Sequence, residues 1–227
     1  MNVHAFTLGS AHLCAMGSGA LYWPDRDLLL VSDLHFGKSE RLARRGGSLL
    51  PPYETRDTLT RLDADLEATG ATRVICLGDS FDDAEAVLAE TELLWLMRLM
   101  AGREWTWIAG NHDPAPMTVG GAHAAEMMVG PLALRHIAAG TGHEVSGHYH
   151  PKARLAGTAR PCFLIDRRHV VMPAYGTYTG GLWCNDPVLA PMMDQGAIAV
   201  LTGPRPVAMP LRAHDSAPRV PTRTRRA

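Results

Sequence analysis

Short apolar runs alternate with longer stretches of helical period along the first half of the chain. Residues 28–32 (LLLVS) and 74–77 (VICL) are unbroken apolar runs of strand length, as strands covered on both faces require. Between them, residues 58–69 place Leu59, Leu62 and Leu66 at helical spacing, with Gly70 where a left-handed cap ends a helix. The pattern then repeats. Residues 83–100 carry Leu88, Leu94, Trp95 and Leu99 in a second helical stretch, Gly102 follows, and residues 105–109 supply a third strand. Trp105 and Trp107 alternate within it and read as core or sheet-face residues rather than base-stacking platforms. After His112 the texture changes to short strands between Gly and Pro turns, at residues 132–136, 144–146, 162–165, 170–172 and 197–201. That half predicts an antiparallel or mixed sheet.

No internal repeat is visible, and 227 residues with 46% apolar content suit one α/β domain, taken as residues 1–211. Residues 212–227 are rich in Pro, Arg and Thr and read as a disordered, solvated tail. Its arginines (Arg212, Arg219, Arg223, Arg225, Arg226) are also able to add nonspecific attraction to DNA phosphate. A net charge of −1 gives no global basic footprint, so affinity for nucleic acid has to come from a local patch. Cys14, Cys76, Cys162 and Cys184 are far apart, without a C-x-x-C pair, and read as reduced thiols, three or four of them buried. The first residues lack a basic segment followed by an apolar core, and no run reaches the roughly 18 apolar residues of a membrane span. The expectation is a cytoplasmic protein without a membrane partner.

Each early strand ends in a polar cluster rather than a simple turn: DLHFGK from Asp33, GDSFDD from Gly78 and GNHD from Gly110. Strand ends on one edge of an α/β sheet converge, so these clusters are expected to share one site. Asp33 and His35 are two apart, so in an extended segment their side chains point the same way. Asp79 is able to bridge two cations, and Asn111 and His112 add an amide oxygen and an imidazole. Further on, His148 and His150 repeat the i, i+2 spacing, and His136 ends the strand before them. A single D-x-H or H-x-H pair is weak evidence, since histidines at strand ends are often just satisfied polar residues. The ordered series is strong. Its mixed N/O donors suit Mn²⁺, Zn²⁺ or Fe²⁺ better than Mg²⁺ or Ca²⁺.

The series Asp33/His35, Gly78-Asp79 with Asp82, Gly110-Asn111-His112-Asp113, His136 and Gly147-His148/His150 resembles the calcineurin-like metallophosphoesterase superfamily. Within it the chain is similar to the PdeM group, bacterial proteins described as ligase-associated DNA damage response endonucleases. That likeness rests on ALYWP, DLHFGK, LPPYET, LGDSFDD, GNHDP, GHYHPKA and PAYGTYTGGL. The resemblance implies a metallophosphoesterase sandwich, two mixed β-sheets flanked by helices in four layers. It implies two divalent ions, Mn²⁺ foremost with Zn²⁺ or Fe²⁺ possible, one held by Asp33, His35 and His150, the other by Asn111, His136 and His148, with Asp79 between them. Two such ions lower the pKa of a shared water and clamp the phosphoryl oxygens.

His112 would then protonate the leaving alkoxide, and Asp82 would accept a hydrogen bond from His112, unless it merely caps the following helix. The PdeM group often has His at the position of Asp82, whereas the wider superfamily has Asp. His136 stands alone in its segment, with His143 as competitor. Lys38 and Arg135 are candidates for contact with substrate phosphate, or else solvated charges, and Tyr175 and Tyr178 are candidates to border the site. The implied activity is phosphodiester hydrolysis of DNA, single-stranded or with free ends, in repair, with ligase, helicase or nuclease partners. The alternatives are a small-molecule phosphoesterase and a catalytically dead binding module.

Overall fold

A computed structural model describes residues 2–46, 50–83, 88–113 and 119–211. Seven strands form the first sheet in sequence order: β1 (Val3–Leu8), β2 (Ala11–Met16), β3 (Leu21–Trp23), β4 (Leu28–Val31), β5 (Arg73–Leu77), β6 (Glu104–Ile108) and β7 (Ala122–Ala124). β1 to β4 run antiparallel and β4 to β7 parallel. Three helices are described: α1 (Lys38–Arg44), α2 (Glu54–Thr69) and α3 (Glu90–Met100). The second sheet holds β8 (Glu126–Val129), β9 (Leu132–Arg135), β10 (His143–Ser146), β12 (Thr158–Ile165), β13 (His169–Val171), β14 (Ile198–Leu201) and β15 (Val207–Pro210), with β11 (Lys152–Leu155) paired to β12 at its margin. β10 is parallel to β9 and β13, and the other pairs are antiparallel, so this sheet is mixed, as expected.

The unbroken apolar runs follow from burial on both faces. Leu28, Leu30, Ile75 and Leu77 join Leu134, Val145, Phe163 and Val170 in the core between the sheets. Their alternates Leu29, Val31, Val74 and Cys76 pack on Leu59, Leu62 and Leu66 of α2. Trp105 and Trp107 belong to the same outer core, as their alternation predicts. The helix starts at Glu54, four residues before the hydrophobic pattern, because Glu54 is buried and accepts the N–H and hydroxyl of Ser39 in α1.

The described α-helices are few and pack on the first sheet, while a single 3-10 turn, Ala190–Met192, lies against the second. The outer face of the second sheet is covered instead by β11 and the loop carrying Leu182, Leu189 and Met193. Two expectations change, and a third lies outside the described residues. The second helix is described only from Glu90, with residues 84–87 outside the described residues. There Leu96 and Leu99 face the core, while Leu94 is exposed. Two cysteines are buried, Cys76 and Cys162, while Cys14 and Cys184 are half-buried. The tail at 212–227 lies outside the described residues. No described helix is long and apolar enough to cross a membrane.

Candidate metal centre

The ends of β4, β5, β6, β9 and β10 meet at one edge of the two sheets, and the loops that leave them are zipped together by backbone. Asp33 N–H donates to Gly78, His35 N–H to Asp79 and Phe36 N–H to Ser80, while Asp82 N–H returns to Phe36. β4 ends at Val31, so Asp33 and His35 are not extended. Both lie in the left-handed region, at φ 53° and 48°, and so do Asp79, His148 and His150. The i, i+2 pairs thus share a side through repeated left-handed residues rather than through strand pleat, which corrects the extended-segment argument. Non-glycine residues in that region cost about 1–3 kcal/mol each, strain that concentrates at functional sites. Gly147 is required by close approach: a Cβ there would lie 1.7 Å from Ser32 Oγ and 2.5 Å from Asp33 Oδ2.

Two triads result. Ligand atoms of Asp33, His35 and His150 lie within 4.8 Å of one another, as do those of Asp79, His136 and His148. Asn111 Oδ1 is 2.9 Å from His136 Nε2, and His136 Nδ1 is 3.9 Å from Asp33 Oδ1, so the triads adjoin. Within them His35 Nε2 lies 3.4 Å from His150 Nε2, and His148 Nδ1 lies 3.2 Å from His136 Nε2.

The surroundings set the tautomers. His136 Nδ1 is 2.8 Å from the Leu77 carbonyl and His35 Nδ1 is 2.8 Å from Asp82 Oδ1. Protons on those nitrogens leave both Nε2 lone pairs facing inward, as metal-binding imidazoles are arranged. Nitrogen lone pairs facing each other at such distances beside carboxylate oxygens fit a cation between them, so the donor set suits one divalent ion per triad.

Burial raises the cost of charge on Asp33, but His150, His136 and the Ser32 hydroxyl reverse that and hold its carboxyl below the usual range. The same contest holds Asp79 well below it, through the His136 ring and the His112 N–H. Burial lowers His136, and Asp79 and Asp33 more than restore it, so its net shift is upward. His148 is lowered by burial and by the neighbouring His136. Both carboxylates therefore stand ionised.

Residues 27–188 match the model of the calcineurin-like phosphoesterase family. The chain belongs to the calcineurin-like phosphoesterases. Among solved structures this phosphoesterase is similar to the crystal structure of the nuclease MPE of Pseudomonas putida, with a TM-score of 0.72 and 26% identity, covering 92% of this chain and 100% of that one. No curated protein matches it. The family and the neighbour make it a metal-dependent phosphoester hydrolase with two mixed sheets.

The structure gathers all seven side chains expected to hold metal. His136, not His143, is the imidazole at the centre; the His143 ring packs at Gly9, at the far end of β10. His112 is half-buried beside His35, ring centroids 5.3 Å apart. Its contact with Asp82 exists but is a backbone one: His112 Nδ1 is 2.9 Å from the Asp82 carbonyl. The Asp82 carboxylate, fully buried, turns to His35 and Arg41 instead, with Lys38 Nζ 3.9 Å away. Asp82 thus orients a triad member of this phosphoesterase rather than the expected proton donor, and it caps none of the described helices.

Lys38 stands at the rim of the site. Arg135 does not: it ends β9 one residue before His136, and its guanidinium lies 3.2 Å from Glu126 and 3.7 Å from the buried Glu144. Tyr175 is fully buried, donating to Asp65 at 2.8 Å behind the site, whereas Tyr178 is exposed.

Two residues escaped the sequence reading. Arg41 lies one turn into α1, in a run of arginines that gave no sign of which one turns inward. Asp113, inside the GNHD motif, is buried and accepts N–H groups from Asp79, Ser80, Phe81 and Gly110, binding two of the loops into one unit. A carboxylate two residues after a ligand was the available signal.

Proposed function

We propose that this phosphoesterase is a two-metal phosphodiesterase that cleaves DNA, single-stranded or with free ends, in repair, as a cytoplasmic protein working beside other repair enzymes such as a ligase, helicase or nuclease. The observation that carries the reading is the pair of adjoining N/O triads with His112 beside them. The similarity to a solved nuclease supports the substrate class. Mn²⁺ suits the mixed imidazole and carboxylate donors, with Zn²⁺ and Fe²⁺ compatible. Two divalent ions, one held by Asp33, His35 and His150 and the other by Asp79, His136 and His148 with Asn111 beside them, would supply Lewis acidity and counter-charge for displacement at phosphorus.

The remaining work falls to the chain. Asp82 fixes the His35 ring, Leu77 fixes the His136 ring, and Asp113 holds the Asp79 and Asn111 loops in register. His112 keeps Nδ1 against the Asp82 carbonyl, which leaves Nε2 to carry a proton to the departing alkoxide, a contribution of about 10²–10⁴ in rate. The test is Mn²⁺-dependent cleavage of end-labelled single-stranded DNA beside a chromogenic diester and monoester, with wild type, His112→Ala and Asp79→Asn. DNA cleavage lost in both variants supports the reading. Hydrolysis of small esters with DNA left intact would replace it with a small-molecule phosphoesterase, and no hydrolysis and no bound metal would leave a binding module.

A further inference from the structure

Next to the metal centre, on the side of His150, lies a surface that the chemistry above does not use. β11 leaves the metal-binding loop directly, so Lys152 follows His150 by two residues. Lys152 and Arg154 alternate with buried Ala153 and share a face. Both end on one indole: Lys152 Nζ is 4.8 Å and Arg154 Cζ 5.1 Å from the ring centroid of Trp183. That tryptophan is 37% exposed.

The arrangement is anchored. Lys152 N–H donates to the Leu182 carbonyl and Cys184 N–H to the Lys152 carbonyl, each at 2.9 Å, so the backbone on either side of Trp183 is tied to β11. Gly181 lies so close to the His150 carbonyl that a Cβ there would sit 1.9 Å from it. The β11–β12 hairpin closes through Ala156 and Gly157, both at positive φ, the geometry of a tight two-residue turn. Trp183 is therefore fixed to the loop that presents His148 and His150.

Local packing of two cations on an exposed ring is the plain reading, and charge argues against it as the whole account. Among the described residues neither Lys152 nor Arg154 is paired with a carboxylate. Asp186, the acid nearest to Trp183 along the chain, accepts the Val188 N–H at 2.9 Å. Two uncompensated cations at one ring repel each other, and an anion between them relieves that cost. A cavity of about 150 Å³ lined by His150, Lys152, Arg160 and Thr179 adjoins the centre on this side. Beyond it a groove of about 770 Å³ runs past Arg154, Leu155, Trp183 and Leu211.

We propose that Lys152, Arg154 and Trp183 form the track along which one strand of DNA leaves the metal centre, with phosphates on the two cations and a base stacked on the indole. Alternating cations and an aromatic platform are the chemistry of sequence-tolerant single-strand binding. A paired duplex keeps its bases in its own stack and leaves the indole unused, so the track selects single strands. This inference rests on the DNA reading of the metal centre.

The experiment measures steady-state cleavage of end-labelled single-stranded DNA and of a small chromogenic diester, over a range of salt concentrations, for wild type, Trp183→Ala, Trp183→Phe and the double variant Lys152→Ala/Arg154→Ala. Trp183→Ala is expected to raise KM for DNA about tenfold with kcat retained, and Trp183→Phe to stay near wild type. The double variant is expected to lower the slope of log kcat/KM against log salt by about 0.7 per cation removed. The small diester has no neighbouring base or phosphate, so it reports the metal centre alone. A wild-type KM for DNA in Trp183→Ala, or equal losses on DNA and small diester, would overturn the track while leaving the nuclease reading in place. A wild type that hydrolyses the small diester and spares DNA would remove that reading and the track with it.

Discussion

The Asp113 carboxylate accepts four backbone N–H groups, from Asp79 at 2.9 Å, Ser80 at 2.7 Å, Phe81 at 3.1 Å and Gly110 at 3.1 Å. Asp113→Ala strands these donors in a buried place, and each orphaned group costs about 1–3 kcal/mol where water does not replace the acceptor. One term works the other way. Burial pushes the Asp113 carboxyl up against the pull of those N–H groups, so removing it also relieves a buried charge. Taking the low end for each donor and allowing for that relief, the expected loss is about 3 kcal/mol, a large part of a marginal stability. Asp113→Asn keeps one acceptor oxygen and the shape, and is expected to lose about half as much.

Urea denaturation of metal-stripped protein reads the stability, and metal titration of the same variants reads the site. Because Asp113 spaces the Asp79 and Asn111 loops, metal affinity is expected to fall about 10–100-fold, as it does when partners behind metal ligands are removed. A loss under 1 kcal/mol with unchanged metal affinity would refute the argument that this carboxylate organises both loops.

Three further outcomes are expected. His112→Ala should lower kcat for a diester about 10²–10⁴-fold with metal content unchanged, and a matching loss of metal would make it a ligand instead. Gly147→Ala should displace Asp33 and cut metal affinity, with partial recovery in Ser32→Gly/Gly147→Ala, because the added methyl meets Ser32 Oγ first; wild-type affinity in the single variant would contradict the close approach.

Asp166, outside the two triads, accepts N–H groups from Arg168, His169 and Asp194 and lies 3.2 Å from the His169 ring. Burial raises its carboxyl, but those groups outweigh it and hold the carboxyl below its usual value. A lowered folded pKa stabilises the fold above the unfolded value of about 3.9, and that contribution is lost as pH falls through the folded value. Asp166→Ala should cost about 2 kcal/mol at pH 7 by urea denaturation, with the gap to wild type narrowing below about pH 4. A gap that widens in acid would reverse the sign of the argument.

The gathering of the seven candidate ligands was legible because they sit in motifs at successive strand ends, and strand ends can be found from apolar runs alone. The reason the pairs face together was not legible. Asp33, His35, His148 and His150 use left-handed backbone, which only contacts such as Asp33 N–H to Gly78 and His148 N–H to Asp33 stabilise. The turn of Asp82 toward His35 and Arg41 escaped for the same reason, since spacing says nothing of which neighbour a buried carboxylate meets. In the fold, β4 and β5 were visible because both of their faces are buried. β1 and β2 were not, because VHAFTL and AHLCAM mix His and Thr into short alternations that become strands only through pairing with each other and β3. The pairing of Arg135 with Glu126 and Glu144 was not legible because a strand places neighbours on opposite sides, and only β8 and β10 show which side meets carboxylates.

The most direct test of the two-metal account is the metal content of the stripped protein reloaded with Mn²⁺, measured by elemental analysis alongside diester hydrolysis. The account predicts about two Mn²⁺ per chain, about one in Asp33→Ala and His148→Ala, and activity that vanishes on chelation and returns with metal. A single equivalent in the wild type, or hydrolysis that survives complete removal of metal, would contradict it.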